Sequence, residues 1–320
     1  MKLIESKAEY IPQEEGLDGI YKQIELAGRT AYHSQDKITP NSAKDFVDRM
    51  IKSKHGAALE HGTVYFKIPT KDFNYEDSLW GDDIDDTFPF YSPWVEHNCR
   101  TSADGTIDYV TTNYRFFLET EFMLIKAASK ELFLEKYLCP PTEFHEKRYT
   151  MRFTCSRAIA NELVRHRTMS FLQESTRYIN YSKERHGEKI TYIKPSWLEE
   201  SEEEANSFLG LVMAGAELNE HGEKVYPFFE SLVFAEKNYF VLLNKGFTPQ
   251  QARDVLPNAT KTELIMTGFA SDWKHVMDLR LFEKTGAVHP DMKDLMQKAQ
   301  KVMQEAGIWD DIISKPSKFE

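Results

Sequence analysis

RYTMRFTC at residues 148–155 alternates without a break: Tyr149, Met151, Phe153 and Cys155 take one face, Arg148, Thr150, Arg152 and Thr154 the other. A period of two marks a strand with one face in a core. Ser156 then caps a helix whose Ile159 and Leu163 recur one turn apart on its buried stripe. The segment reads strand, then helix, and that helix delivers Arg165, His166 and Arg167 at its end.

Upstream, residues 14–34 and 42–55 read as helices, the first ending near Tyr32–Ser34. In GTVYFKI, Val64, Phe66 and Ile68 alternate with Thr63, Tyr65 and Lys67, which predicts a second half-buried strand, with His61 on its Thr63/Tyr65 face. Residues 69–106 change character, setting Asp72, Asp82 and Asp86 among Trp80, Phe88 and Trp94. The plainer reading is a surface excursion tethered by aromatics, with a functional lid as the alternative. Downstream, KITYIKP is extended and the last third looks helical. One long helix covers about 202–245, with Ser201 as its cap, Pro227 as a place for a break and Gly246 as its stop. Thr248-Pro249-Gln250-Gln251 is a capping box with proline at the first helical position. Ser271 is placed to cap a helix through Trp273 to Arg280, and a last helix follows His289-Pro290. Strands gather in the first half and helices dominate the rest, so the fold class is α+β: a single domain over 1–320 with a central strand-containing core flanked by long helices.

The 320 residues carry 40 Lys and Arg against 51 Asp and Glu, a net charge of −11. That balance argues against a general nucleic-acid or anionic-membrane binder, so an anionic ligand must be held by a local basic cluster. No stretch approaches the length of apolar chain that spans a bilayer, and Glu5 interrupts any apolar leader. Three cysteines, Cys99, Cys139 and Cys155, have no CxxC spacing. They give neither a disulfide framework nor a metal knuckle, and a cytoplasmic protein is expected. His97 and Cys99 lack a second pair at ligand spacing, so no metal is expected.

The basic cluster is at Arg165-His166-Arg167-Thr168-Met169-Ser170-Phe171-Leu172-Gln173-Glu174-Ser175-Thr176-Arg177-Tyr178. Guanidinium forks match phosphate oxygens, and serine hydroxyls add donors to the same anion. The competing reading is a basic helix end complementing its own dipole and pairing with surface carboxylates.

Arg-His-Arg, seven residues, then Ser, any residue, Arg and Tyr resembles the signature of the flavin-dependent thymidylate synthases. His55-Gly-Ala-Ala-Leu-Glu60-His61 before a strand is similar to the family's upstream His…Glu-His element. Gln251-Ala-Arg253-Asp-Val-Leu-Pro257 looks like its second arginine element, and Thr267-Gly268…Trp273-Lys-His275-Val-Met-Asp-Leu-Arg280 like its C-terminal arginine helix. The blocks keep the family's order over residues about 20–295, and about 69–146 reads as an insertion.

The resemblance implies reductive methylation of dUMP to dTMP. The carbon would come from 5,10-methylenetetrahydrofolate and the hydride from FAD reduced by NADPH, in a homotetramer with shared active sites and a non-Rossmann fold. Carried over by residue, it implies flavin contacts at Arg165, His166, Arg167, Gln173, Phe269, Ser271 and His275, with His55 lining the flavin and folate region. It implies dUMP contacts at Glu162, Arg165, Gln173, Glu174, Ser175, Thr176, Arg177 and Arg253. Arg280 matches the arginine that stabilises ionisation at uracil N3. Ser175 is read as binding substrate; a serine nucleophile needs an adjacent base, and His166 is nine residues away. The chain departs from the family pattern at Glu162, where glutamine is common, and at Leu172-Gln173, where Asn-Glu is usual. It departs again at Phe269-Ala270-Ser271, where Asn-x-Arg is frequent, and at Ala57, which replaces Ser or Thr.

Overall fold

The computed structural model describes residues 1–72, 98–119, 129–175, 177, 180–182, 189–216 and 220–317. At its centre lies an antiparallel sheet of four strands in the order β2-β6-β9-β7. They are β2 (Lys7–Tyr10), β6 (Arg148–Ser156), β9 (Lys261–Phe269) and β7 (Ser170–Gln173). β6 is the strand that the alternation predicts, paired along its whole length with β9 from Arg148↔Phe269 to Ser156↔Lys261. Its Tyr149, Met151 and Phe153 enter a core closed by α10 (Ala270–Arg280) and α11 (Pro290–Glu305).

A second core lies between α1 (Gly16–Ala31), α2 (Ser42–Lys52) and a sheet in the order β3-β5-β4. That sheet is built of β3 (Thr63–Pro69), β5 (Ile107–Asn113) and β4 (Asn98–Thr101). Val64, Phe66 and Ile68 enter this core as the alternation predicts, but Thr63 and Tyr65 are buried too, because β6 and its neighbours cover the other face. β1 (Lys2–Ile4) pairs in parallel with β8 (Thr191–Ile193), and α7 (Glu202–Ala214) and α8 (Glu220–Asn244) pack a third core against them.

Four local expectations change. β9 lies in the third expected to be helical; its Leu264, Ile265 and Met266 are all buried, so no alternation advertises it. The long helix is two helices, and the first ends at Gly215, whose φ of 67° takes the left-handed conformation that glycine adopts at least cost. Pro227 sits inside a continuous α8, held through that point by the burial of Val225, Phe229 and Leu232. Ser271 lies within α10 rather than capping it. β9 runs directly into the helix, Ala270 N donates to Lys147 O, and Asp272 takes the capping bond from Phe269 N at 3.1 Å. After α11 a short α12 (Trp309–Ile313) follows.

The predicted caps at Ser156 and Ser201 accept from Ile159 N and Glu204 N, and the Thr248 box starts α9 (Pro249–Ala252). No helix among the described residues is long and apolar enough to cross a membrane. Thr176, Tyr178, His97, His186 and the aromatic run from Trp80 to Trp94 lie outside the described residues.

Candidate active site

The site grows from two chain reversals. At the first, α6 (Arg157–Leu163) ends and the chain turns through 164–169 into β7, setting Arg165 and Arg167 outward and His166 inward. Met169 N donates to His166 O and closes the turn. At the second, β9 passes into α10, whose inner face buries Trp273, Val276 and Met277. Trp273 Nε1 donates to Tyr149 O at 3.0 Å, which fixes the rotation of the helix. Arg280, two turns on from Trp273, therefore lies back over the first reversal.

The two meet in a compact polar cluster. Arg280 donates from Nε to His166 Nε2 at 3.2 Å, from Nη1 to the Glu162 carboxylate at 3.1 Å and from Nη2 to Glu162 O at 3.4 Å. An arginine has no acceptor to offer, so His166 accepts on Nε2 and carries its proton on Nδ1. Burial, the Arg280 charge and nearby His275 push its pKa down to about 4, so the imidazole is neutral at pH 7. The His275 ring stands edge-on to it, with centroids 6.0 Å apart.

A second group surrounds a cavity of about 470 Å³ lined in part by Leu172 and Gln173 of β7. His55, Gln173 and Ser175 line it, together with Tyr32, Lys54 and Arg115. Lys54, at φ 57°, turns the chain out of α2, and the Tyr32 hydroxyl meets His55 Nδ1 at 3.0 Å. Gln173 donates to Thr262 Oγ1 at 3.3 Å, and Ser175 Oγ accepts from Arg177 N. No hydrogen bond joins Ser175 to His166 among the described residues, so the structure offers this serine no base there.

The remaining predicted residues are distributed. Glu174 is buried: its carboxylate accepts from Lys261 Nζ and from Glu263 N, both at 3.1 Å. Arg177 reaches Gln250 Oε1 at 3.2 Å, next to the turn at 253–255 that carries Arg253. Phe269 is buried with the Arg148 guanidinium over its ring, and Ser271 N donates to Glu146. Arg165, His166, Arg167, Arg253, His275 and Arg280 are not among the cavity-lining residues.

The upstream block joins the sheet through buried polar contacts. His61 Nδ1 meets Thr267 Oγ1 at 2.8 Å across 206 residues of chain, and Arg148 donates to Glu60 O at 3.2 Å. Burial and the Arg148 charge push the His61 pKa down to about 3. Lys54, Tyr32 and Arg115 were not singled out from the sequence. Tyr32 follows α1, Lys54 lies just past α2 and Arg115 is in α4 (Tyr114–Glu119), and only the packing of those helices assembles them.

Both buried imidazoles stay neutral down to about pH 4 in the folded protein, whereas in the unfolded chain they protonate near 6.5. The unfolded state thus binds more protons below 6.5. Each group should remove about 1.4 kcal/mol of stability per pH unit as the pH falls through that window. Urea midpoints between pH 7 and 4.5 should show the decline, and His166→Asn should make it shallower. A variant profile parallel to that of the parent chain would mean His166 titrates normally.

The sequence model of the family described as thymidylate synthase complementing protein matches residues 140–306, just over half of the chain. This chain belongs to that family. The match takes in both reversals and the turn carrying Arg253. Among curated relatives, the flavin-dependent thymidylate synthase of Corynebacterium aurimucosum is 31% identical over 150 residues, 47% of this chain and 55% of the relative. That of Pyrococcus furiosus is 31% identical over 158 residues, 49% of this chain and 53% of the relative. The chain thus spans about half the length of the curated relatives it matches. Among solved structures, a UMP/dUMP methylase from Streptomyces cacaoi bound with 5-Br dUMP aligns over 98% of this chain and 97% of its own. Its TM-score is 0.42 and its identity 14%, too remote to support an argument about this site.

Proposed function

We propose that the protein converts dUMP to dTMP, with 5,10-methylenetetrahydrofolate as carbon donor and NADPH as the source of electrons through FAD. FAD bound there would, once reduced by NADPH, supply the hydride. The observation that carries the reading is the Arg280–His166–Glu162 cluster, in which blocks 114 residues apart meet by direct hydrogen bonds. A guanidinium held on a neutral imidazole is a fixed positive charge, ready to stabilise negative charge developing on a uracil ring. Glu162 holds Arg280 in place and yields part of it when an anionic ring edge arrives.

The donor set also fits the flavin dinucleotide. Arg165 and Arg167 are exposed and make no ion pair among the described residues. These are the groups that bind phosphate oxygens. Gln173 and Ser175 would take the nucleotide at the mouth of the cavity, with Arg177 and Arg253 on the phosphate side, and His55 would line the flavin and folate region. Thr176, outside the described residues, belongs with this substrate group. Phe269, Ser271 and His275 would support the flavin from the start and middle of α10. The assembly in this reading is a homotetramer in which neighbouring subunits complete each site, working in the cytoplasm; in its support, neither His166 nor Arg280 lines the cavity.

Tritium release from dUMP labelled at C5 tests the reading. Release should require methylenetetrahydrofolate, FAD and NADPH together, and purified protein should be yellow or become so with FAD. No release from protein that binds both FAD and dUMP would leave an inactive nucleotide-binding relative as the better description.

A further inference from the structure

The segment read from sequence as an insertion, about 69–146, places a cation in the wall of the cavity. β5 pairs with β3 from Thr63↔Asn113 to Pro69↔Ile107, and α4 follows at once, so Arg115 is set against the α3 turn (Gly56–Leu59). Glu60 holds Arg115 Nη1 at 2.7 Å and Glu119 holds Nε at 2.9 Å. These two carboxylates set the plane of the guanidinium, yet neither lines the cavity.

Gly56 shows how close the approach is. A Cβ there would stand 2.6 Å from Arg115 Nε and 2.7 Å from its Cζ. Glycine lets the guanidinium lie flat against the chain beside His55. Lys54 lines the same cavity, with no carboxylate paired to it among the described residues. The described wall thus holds an arginine, a lysine and a histidine and no Asp or Glu, in a chain of net charge −11. Two cations facing a concave space whose described wall carries no acid are a binding device for an anion.

We propose that Arg115, aided by Lys54, is an anion clamp that binds a phosphate or carboxylate group of the ligand entering this cavity. The inference rests on the proposed function for the identity of that ligand, but the clamp itself does not require turnover. The guanidinium offers a planar fork and Lys54 a mobile point charge, so Arg115 carries most of the selectivity.

The test compares the full chain with Arg115→Gln, Lys54→Gln and Gly56→Ala, measuring binding of FAD by flavin fluorescence. Binding of dUMP, methylenetetrahydrofolate and inorganic pyrophosphate is measured by calorimetry. Arg115→Gln should weaken at least one of the four about tenfold, in line with loss of a charge-assisted contact. Lys54→Gln should weaken the same ligand less. Gly56→Ala, which displaces the guanidinium but keeps its charge, should fall between the parent chain and Arg115→Gln. A loss confined to FAD, dUMP or folate identifies which ligand's anion the clamp holds.

Removing Arg115 leaves the half-buried Glu60 carboxylate without its arginine, so Glu60→Gln/Arg115→Gln serves as the folded substitute if the single variant melts early. Unchanged affinity for all four probes in a folded variant, or no binding of any probe by the parent chain, overturns the clamp. Tritium release that persists with unchanged affinities in Arg115→Gln would reject the clamp and leave the synthase reading intact. Pyrophosphate binding that depends on Arg115, without dTMP formation, would do the reverse.

Discussion

Replacing Arg280 with alanine is expected to lower turnover by about 10²–10³-fold, the loss seen when one preorganised donor to a developing anion is removed. Binding of dUMP should largely survive, because a group that acts on charge developed in the transition state contributes little to the ground state. The fold should tolerate the change. The Glu162 side chain is 35% exposed and that of Arg280 22%, so an uncompensated Glu162 carboxylate can turn to water. Arg280→Lys should recover only part of the rate, since an ammonium cannot span His166 and Glu162 together as the guanidinium fork does. Single-turnover rates and equilibrium dUMP titrations on both variants separate the two effects. A variant that turns over normally, or one that loses dUMP as fast as it loses rate, would give Arg280 a different role.

Replacing Glu174 with alanine is expected to act chiefly on stability. Its carboxylate is buried between Lys261 and Glu263 N, and β7 depends on it where the strand leaves the sheet: Glu174 N donates to Glu263 O at 2.7 Å. Removing one partner of a buried pair typically costs about 3–5 kcal/mol, and the lower end applies because Glu263 still pairs with Lys261 at 2.9 Å. Glu174→Gln keeps an acceptor for the backbone bond and should lose about half as much. Denaturant midpoints measure the loss, and dUMP titration at low temperature separates it from binding. A variant of parental stability that no longer binds dUMP would make Glu174 the substrate contact that the motif implies.

The extent to which the sequence revealed the fold varied by element. β6 was legible because one of its faces is apolar throughout and the other polar, and Ser156 begins the next helix with a side-chain bond made within three residues. β9, the strand that crosses the centre of the sheet, was not. It is flanked on one face by α10 and on the other by α1, so Leu264, Ile265 and Met266 are buried in succession and leave no period to read. Proline is the stronger local signal, so the sequence points to a break at Pro227 rather than near 215. Burial of the faces on either side kept α8 whole, and a left-handed glycine ended α7 instead.

The same division runs through the candidate site. Arg165, His166, Arg167, Ser175, Arg177 and Arg280 stand out in the sequence by residue type and by the resemblance of their spacing to the family's motifs. Sequence alone established the family resemblance, the two ends of the central strand-to-helix unit and the acidic balance that requires a local basic cluster. Only the tertiary structure decided that Glu174 braces the sheet, that Glu162 faces Arg280, and that Lys54 and Arg115 share a cavity with His55. Those outcomes depend on which strands pair and which helix faces turn inward. Pairing and packing bring together residues 50 to 200 positions apart, and no local propensity or motif spacing records where such residues meet.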